Sequence, residues 1–449
     1  MASTAMEVYN LLPHLDCGEC GESSCVAFAV KLLNRDLGYQ SCTRLTGSGE
    51  EKLEKELAYK VRPVEFGVGG KKVTVGGEDV AYRHERRYFH PPPFFLEIAD
   101  YMNTREVEER LGFIQDFKIK VRGRNLALDG IAITESMDDV GFYMKAVKTA
   151  QDLDVPIILK SENPEIISRA LEVLGERKPL IFGATEKNHQ MIAELTLQYG
   201  CPVVASAEGL PELIDIGKSL KDENIEDIIL HPIVDPSNLT KYLNTLQSIR
   251  NKGVNGEEEF RHPILVDSSD FGFKINELES SFHESLLSAM LLNRYSNLFI
   301  LGSRHNWSLL SLLILRQGLY SDPKTQPSVE SKLYEVGDPS EESPVIVTSN
   351  FSPTFYDVTQ DLEENHIDAY LLPIDTGGLA VSVAMAGNIF SASKVQDLLE
   401  KSGVVEKVKH RKLILPGYAD SIAREVEILT GWRAEVGPVD SGDLPGFLR

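Results

Sequence analysis

The chain has 449 residues, 42% of them hydrophobic and 25% charged, an ordinary composition for a soluble globular protein with room for two to four domains. Its 46 basic and 68 acidic residues leave a formal charge of -22, spread along the chain, and such a field repels nucleic acid and excludes it as a partner. The longest apolar stretch, residues 309–315, is broken by Ser311 and falls short of the ~20 residues that span a bilayer, while residues 1–7 lack the basic and apolar regions of a secretion signal, so a cytoplasmic protein without membrane contact is expected.

Four of the five cysteines come first in the chain, as Cys17, Cys20, Cys25 and Cys42. Three thiols packed around Gly18 and Gly21, with a fourth returning from beyond a short helix, suit an iron-sulfur cluster held by four cysteines. Structural zinc is the rival reading, although its usual paired knuckles are missing. A disulfide framework does not fit a chain with one cysteine elsewhere. The unbroken run Val26, Ala27, Phe28, Ala29, Val30, Leu32 and Leu33 predicts a helix whose apolar side covers the cluster. Pro13, the Cys-Gly-Glu-Cys-Gly core and Cys25 followed by Phe28 and Ala29 resemble the small four-cysteine 4Fe-4S domain fused to several anaerobic redox proteins. Thr43 stands where that family usually has proline.

Residues 67–77 and 80–83, two short alternating runs around glycines, predict a hairpin. Gly67 and Gly69 are read as turn chemistry, because no third glycine and no helix follow as a phosphate loop requires. Eight apolar runs then alternate with amphipathic stretches: 94–99, 130–134, 156–160, 180–184, 202–207, 227–230, 263–267 and 298–302. One intervening helix is well marked, with Asn163 as its cap, Pro164 in the first turn, Ile167, Ala170, Leu171 and Leu174 on one face, and Gly175 at its end. Leu278, Phe282, Leu286 and Met290 are spaced as a second buried stripe. The fold class expected is α/β: a small N-terminal iron-sulfur domain, a central (β/α)8 barrel of the triosephosphate isomerase type, and a C-terminal Rossmann-like domain. An open doubly wound sheet is the alternative to the barrel. Cys201, just before a strand, reads as a small buried apolar residue.

Residues 321–344, rich in proline, serine and charge without a period, read as a flexible linker. Strands are predicted beyond it at 345–348, 369–374, 412–415 and 434–436, making a compact parallel domain. The expected divisions are therefore 1–58 for the cluster domain, 59–93 for the hairpin and linker, 94–320 for the barrel, 321–344 for the second linker and 345–449 for the terminal domain. Ligands bind beyond the carboxyl ends of parallel strands. There the chain places residues 348–355, 375–382, 416–419 and 437–440, where hydroxyls and glycine amides can hold a large polar ligand edge or simply cap turns.

The three domains in this order, with Thr348-Ser-Asn-Phe and Thr354, Asp375-Thr-Gly-Gly-Leu, Leu415-Pro-Gly-Tyr-Ala, Gly431-Trp and Val436-Gly-Pro, resemble the large (gamma) subunit of the corrinoid iron-sulfur protein of the acetyl-CoA synthase/decarbonylase (Wood-Ljungdahl) pathway. That resemblance implies one 4Fe-4S cluster on the four cysteines and a cobalamin in the terminal domain, contacted by residues from Thr348, Thr354, Thr376, Gly377, Gly378, Leu379, Ala380 and Gly437. It implies a methyl carrier: Co(I) takes a methyl group from methyltetrahydropterin on a separate methyltransferase and delivers it to the nickel site of acetyl-CoA synthase. The cluster, fed by a low-potential donor such as ferredoxin, returns stray Co(II) to Co(I). The implied assembly is a heterodimer with a smaller corrinoid iron-sulfur subunit, an enzyme of the methyltransferase class only in company with its partners. No D-x-H-x-x-G motif occurs, and His366 and His410 read as surface residues, so the cobalamin is expected base-off without a histidine beneath cobalt. Two other functions compete: a single-chain pterin-dependent methyltransferase using the barrel rim, where Glu135, Glu162, Asn188, Glu208, His231, Asp267 and Ser303 lie, and a non-enzymatic iron-sulfur electron-transfer adaptor.

Overall fold

The computed structural model describes residues 4–121, 124–137, 140–233, 238–269, 271, 277–322 and 326–449. Two compact units emerge, one formed by residues 1–119 and 126–321, the other by 120–125 and 322–449.

In the first unit all eight apolar runs become parallel strands: β1 (Phe94–Ala99), β2 (Gly130–Thr134), β3 (Ile157–Lys160), β4 (Leu180–Ala184), β5 (Val203–Ala207), β6 (Ile228–Pro232), β7 (Leu265–Asp267) and β8 (Leu298–Leu301). Each pairs with its sequence neighbour, β8 returns to β1, and a parallel bridge from Leu230 to Ile264 joins β6 to β7. The sheet is thus a ring, and the open doubly wound alternative is set aside. The helix Pro164–Leu174 forms as its signals require: the Asn163 side chain accepts from the Glu165 N–H at 3.0 Å, and Ile166, Ile167, Ala170, Leu171 and Leu174 are buried.

A hairpin precedes the ring, although the strand partner differs from expectation. Val64–Phe66 pairs antiparallel with Val73–Val75, while residues 80–83 form no strand. Val64, Phe66 and Val75 join Phe95, Ile158, Leu180 and Leu298 in one core. The hairpin therefore serves as a plug whose apolar side chains continue the barrel interior, a role that needs three-residue strands and no more.

The helix Glu277–Leu292 does not bury the stripe its spacing suggested. Leu278, Phe282, Leu286 and Met290 are 61, 55, 49 and 39% exposed, and Ser281, Glu284, Ser288, Leu291 and Leu292 face inward. The inward polar groups are all bonded: Ser281 donates to the Glu277 carbonyl, Ser288 donates to Ser268 Oγ at 2.8 Å, and Glu284 accepts backbone N–H groups from Gly302 and Ser303. Hydrogen-bonded polar groups can be buried at small cost, so polarity alone did not tell the two faces apart. No helix among the described residues is long and apolar enough to cross a membrane.

The second unit is a five-stranded sheet of β9 (Tyr334–Val336), β10 (Val345–Ser349), β11 (Ala369–Ile374), β12 (Lys412–Leu415) and β13 (Arg433–Val436), in the spatial order β9-β11-β10-β12-β13. All pairs are parallel except β9 with β11. Both faces are covered. Along β10, Val345 and Val347 enter one core with Phe390, Val395 and Leu399, and Ile346 enters another with Phe355, Val358 and Leu362, as buried parallel strands require. The segment read as a flexible linker is in part structural: β9 closes the sheet edge and Val329 N–H bonds to the Asn350 carbonyl at 2.8 Å. An edge strand needs only one bonded side and little apolar sequence, which is why a polar, proline-rich stretch supplies it. Residues 323–325, with Pro323, lie outside the described residues.

Candidate functional site

The helix Cys25–Leu33 starts at the cap Ser24, whose hydroxyl accepts from the Ala27 N–H at 3.2 Å, while Asp16 Oδ1 accepts from the Cys25 N–H at 2.6 Å. Gly18 and Gly21 adopt φ of 72° and 89°, which lets the loop turn sharply enough to bring Cys17 and Cys20 back beside the helix start. Cys42 follows the short turn Tyr39–Ser41, its N–H bonded to the Tyr39 carbonyl at 3.1 Å. All four cysteines line one small cavity with Phe28 as part of its wall. Four cysteines around a common space are the donor set that holds an iron-sulfur cluster.

Thr43, where a proline was expected, donates its hydroxyl to Glu19, and Arg44 pairs with the same carboxylate. The Arg44 bond first, and the Thr43 bond second, hold the Glu19 carboxyl below its usual range. These bonds tie the fourth cysteine's segment to the loop of the first two. Cys20, Cys25 and Cys42 are half-buried against the core of Phe28, Ala29, Leu32, Leu53 and Leu57, and Cys17 is exposed. One edge of the site therefore meets solvent.

In the second unit the strand order reverses its direction of growth between β10 and β12. A crevice opens outside the carboxyl ends at such a switch point, and here it measures about 410 Å³. Thr348 lies one residue before the end of β10, Thr354 sits in the first turn of the helix Ser352–Glu364, Ala380 caps the helix Val381–Ala386, and Gly437 follows β13. All four line the crevice, together with Ser382, Tyr418 and Val439. A side chain at Gly437 would put its Cβ 3.0 Å from Ile414 Cγ2 and 3.3 Å from the Leu415 carbonyl, and one at Gly417 would meet Val439 at 2.8 Å. Glycines thus keep the wall thin. Tyr418 and Val439 remain exposed at the lip, an apolar rim around a partly polar floor.

The other expected contacts, Thr376, Gly377, Gly378 and Leu379, are not in the wall. They form the loop behind it, and Thr376 is buried with its hydroxyl 2.8 Å from the Leu379 carbonyl. Asp440, Tyr418 and Ser382 were legible only as residues beyond strand ends. Neither histidine of the domain lines the crevice: His366 is exposed, and His410, expected at the surface, is half-buried, donating from Nε2 to the Ser343 carbonyl at 2.9 Å and accepting at Nδ1 from the Lys412 N–H at 3.2 Å.

The barrel rim is polar but internally engaged. Lys160 Nζ lies 2.6 Å from Asp267 Oδ2, Ser269 Oγ bonds Glu97 at 3.1 Å and Asp267 at 2.5 Å, and Ser206 Oγ lies 3.1 Å from His231 Nδ1. Asn188 donates to the carbonyls of Glu162 and Gly183 and accepts from Thr185. Ser161 donates to Glu135, the Ser303 hydroxyl lies against that of Ser308, and Glu162 and Glu208 are exposed. Cys201 is buried, and desolvation lifts its thiol to about 12, so it is an inert core residue.

Fold and site together define a β/α-barrel protein that carries an iron-sulfur segment and a terminal parallel α/β domain. Residues 63–448 match the family of the CO dehydrogenase/acetyl-CoA synthase delta subunit, and residues 12–44 match an Fe-S cluster family. The chain is 36% identical to the acetyl-CoA decarbonylase/synthase complex subunit gamma of Methanothermobacter thermautotrophicus, covering 100% of this chain and 99% of that protein. It is 37% identical to the subunit gamma of Methanopyrus kandleri over 99% of this chain and 97% of the relative. Among solved structures, dihydropteroate synthase of Thermus thermophilus aligns over 58% of this chain and 100% of its own length, at 11% identity and a TM-score of 0.41. The chain belongs to the family of acetyl-CoA decarbonylase/synthase complex gamma subunits.

Proposed function

We propose that the chain is a corrinoid methyl carrier, with the corrinoid held in the crevice of the second unit and a 4Fe-4S cluster on Cys17, Cys20, Cys25 and Cys42. The observation that carries the reading is the crevice itself: a switch-point opening with threonine hydroxyls and glycine backbone inside and an apolar lip, in a chain of this family. When bound, a corrinoid supplies a cobalt that accepts a methyl group in its Co(I) state, and the cluster supplies an electron that regenerates that state. The chain's own residues provide position and environment. Thr348 and Thr354 offer hydroxyls, Gly437 allows backbone to approach a flat ring, and the wall among the described residues presents no imidazole. Without a strong nitrogen donor a low oxidation state is easier to reach. Exposure of Cys17 leaves an edge at which a reduced donor such as ferredoxin delivers electrons.

The carrier works between a methyltetrahydropterin methyltransferase and acetyl-CoA synthase, in a heterodimer with the small corrinoid iron-sulfur subunit. The outward stripe of Leu278, Phe282, Leu286 and Met290 supports a subunit contact, since contiguous exposed apolar patches mark interaction sites. Phe282→Asp should abolish co-purification with that subunit while leaving the chain folded; undiminished co-purification would move the contact elsewhere. The paired groups of the barrel rim give no support to the single-chain methyltransferase.

The deciding measurement is the absorption spectrum of anoxically purified protein after reconstitution with iron, sulfide and cobalamin. Cluster and corrinoid bands are both expected, and Cys20→Ala should remove the cluster bands alone. Retained iron with no corrinoid would leave the electron-transfer adaptor as the function.

A further inference from the structure

We propose that Asn350 is the positioning residue of the corrinoid crevice, its single amide stapling the loop after β11 to the end of β10; this rests on the corrinoid reading of that crevice. Asn350 is buried one residue beyond β10, and its backbone is already used, N–H to the Ile374 carbonyl and C=O from the Val329 N–H, each at 2.8 Å. The side chain is then free to work across the strands. Its Oδ1 accepts from the Thr376 N–H at 2.9 Å and the Gly378 N–H at 3.0 Å, with the Thr376 hydroxyl at 2.9 Å, and its Nδ2 donates to Asp375 Oδ1 at 3.1 Å. The same Asp375 oxygen accepts from the Gly377 N–H at 3.0 Å.

This loop needs such a staple. Gly377 and Gly378 adopt φ of 68° and 76° in succession, a conformation glycine permits but does not enforce. A Cβ at Gly378 would sit 2.8 Å from that of Gln326, so bulk cannot stiffen the turn. Just past it, Ala380 and Ser382 line the same crevice as Thr348, which stands two residues before Asn350. One side chain therefore sets the distance between two walls of the site.

The chemistry selects asparagine. The position needs an acceptor for several donors and, from the same group, an N–H for a carboxylate. In Asn350→Asp the acceptor survives but two carboxylates face each other at hydrogen-bond distance, where one proton is shared and the upper apparent pKa rises. As pH falls through that range, the shared proton replaces the lost N–H. Besides Asp375, a charged group bonded to this loop is Lys394, which donates to the Asp375 carbonyl at 2.7 Å.

The test is cobalamin retention by the full chain after gel filtration at pH 8 and pH 5.5, with amide hydrogen exchange of Thr376 and Gly378 measured on the same proteins. Wild type should retain cobalamin equally at both values. Asn350→Asp should bind roughly tenfold to a hundredfold more weakly at pH 8, recover at pH 5.5, and show faster exchange at the two amides at pH 8 after correction for intrinsic rates. Asn350→Leu should lose binding and protection at both. Wild-type affinity and protection in Asn350→Asp at pH 8, or equal loss at both pH values, would overturn the assignment. A wild-type chain that retains no cobalamin would sink the reading of the crevice, while the exchange rates still judge the staple.

Discussion

The barrel rim and the edge of the terminal sheet are built on one plan, parallel strands delivering polar residues at their carboxyl ends, yet they present opposite surfaces. At the rim, Lys160 meets Asp267, Ser206 meets His231, and Ser269 bridges Glu97 and Asp267. At the terminal sheet, glycines and threonines stand back from a crevice of about 410 Å³. The difference teaches that polar residues beyond strand ends identify a site only when they are not already spent on one another. Charged groups attract partners from their own chain; hydroxyls and bare backbone leave room.

Three measurements break or sharpen this contrast. The largest effect is expected for Lys160→Met, which strands the buried Asp267 carboxylate and should cost about 3–5 kcal/mol in chemical denaturation of the barrel, with cobalamin retention unchanged; loss of cobalamin at intact stability would make the rim a working site. Next is a pH effect centred on Glu284. Burial raises its carboxyl to about 7, against two backbone N–H bonds that lower it and with Glu97 and Asp267 adding to the rise. Between its ordinary 4.5 and about 7 the folded chain keeps a proton that the unfolded chain has released, so stability falls as pH climbs through that window and levels off above it. The drop is on the order of 3 kcal/mol, and Glu284→Gln should flatten the denaturation profile; an unchanged slope would assign it to other groups. Smallest is Gly437→Val, which overfills the thin crevice wall and should weaken cobalamin retention roughly tenfold to a hundredfold without moving the barrel's melting. Undiminished retention would put the corrinoid elsewhere.

Much of this was legible in sequence where the signal is local. The cysteine spacing marked four residues that line one cavity, and the eight runs marked the strands to within a residue or two, because a strand buried on both faces must be apolar throughout. The caps of the helix Pro164–Leu174 are written in adjacent residues. The stripe of Leu278, Phe282, Leu286 and Met290 was equally legible and pointed the wrong way, since spacing reports that one face is apolar and says nothing of whether a neighbour covers it. Four of the eight expected corrinoid contacts line the crevice and four lie in the loop behind; both groups follow strand ends, and only their hydrogen bonds separate wall from support.

By itself, then, the order of amino acids determined the four-cysteine frame, the eight apolar strands and the parallel pairing of β10 to β13, all properties of hydrogen bonding and burial within short segments, while closure of the eight strands into a ring waited on the structure. Tertiary structure alone decided that residues 334–336 close a sheet edge, that Val64–Phe66 plugs the barrel, and that Thr348, Thr354, Ala380 and Gly437 face one space. These are meetings of segments far apart along the chain, and such meetings depend on how apolar faces share out their neighbours, which no local pattern encodes.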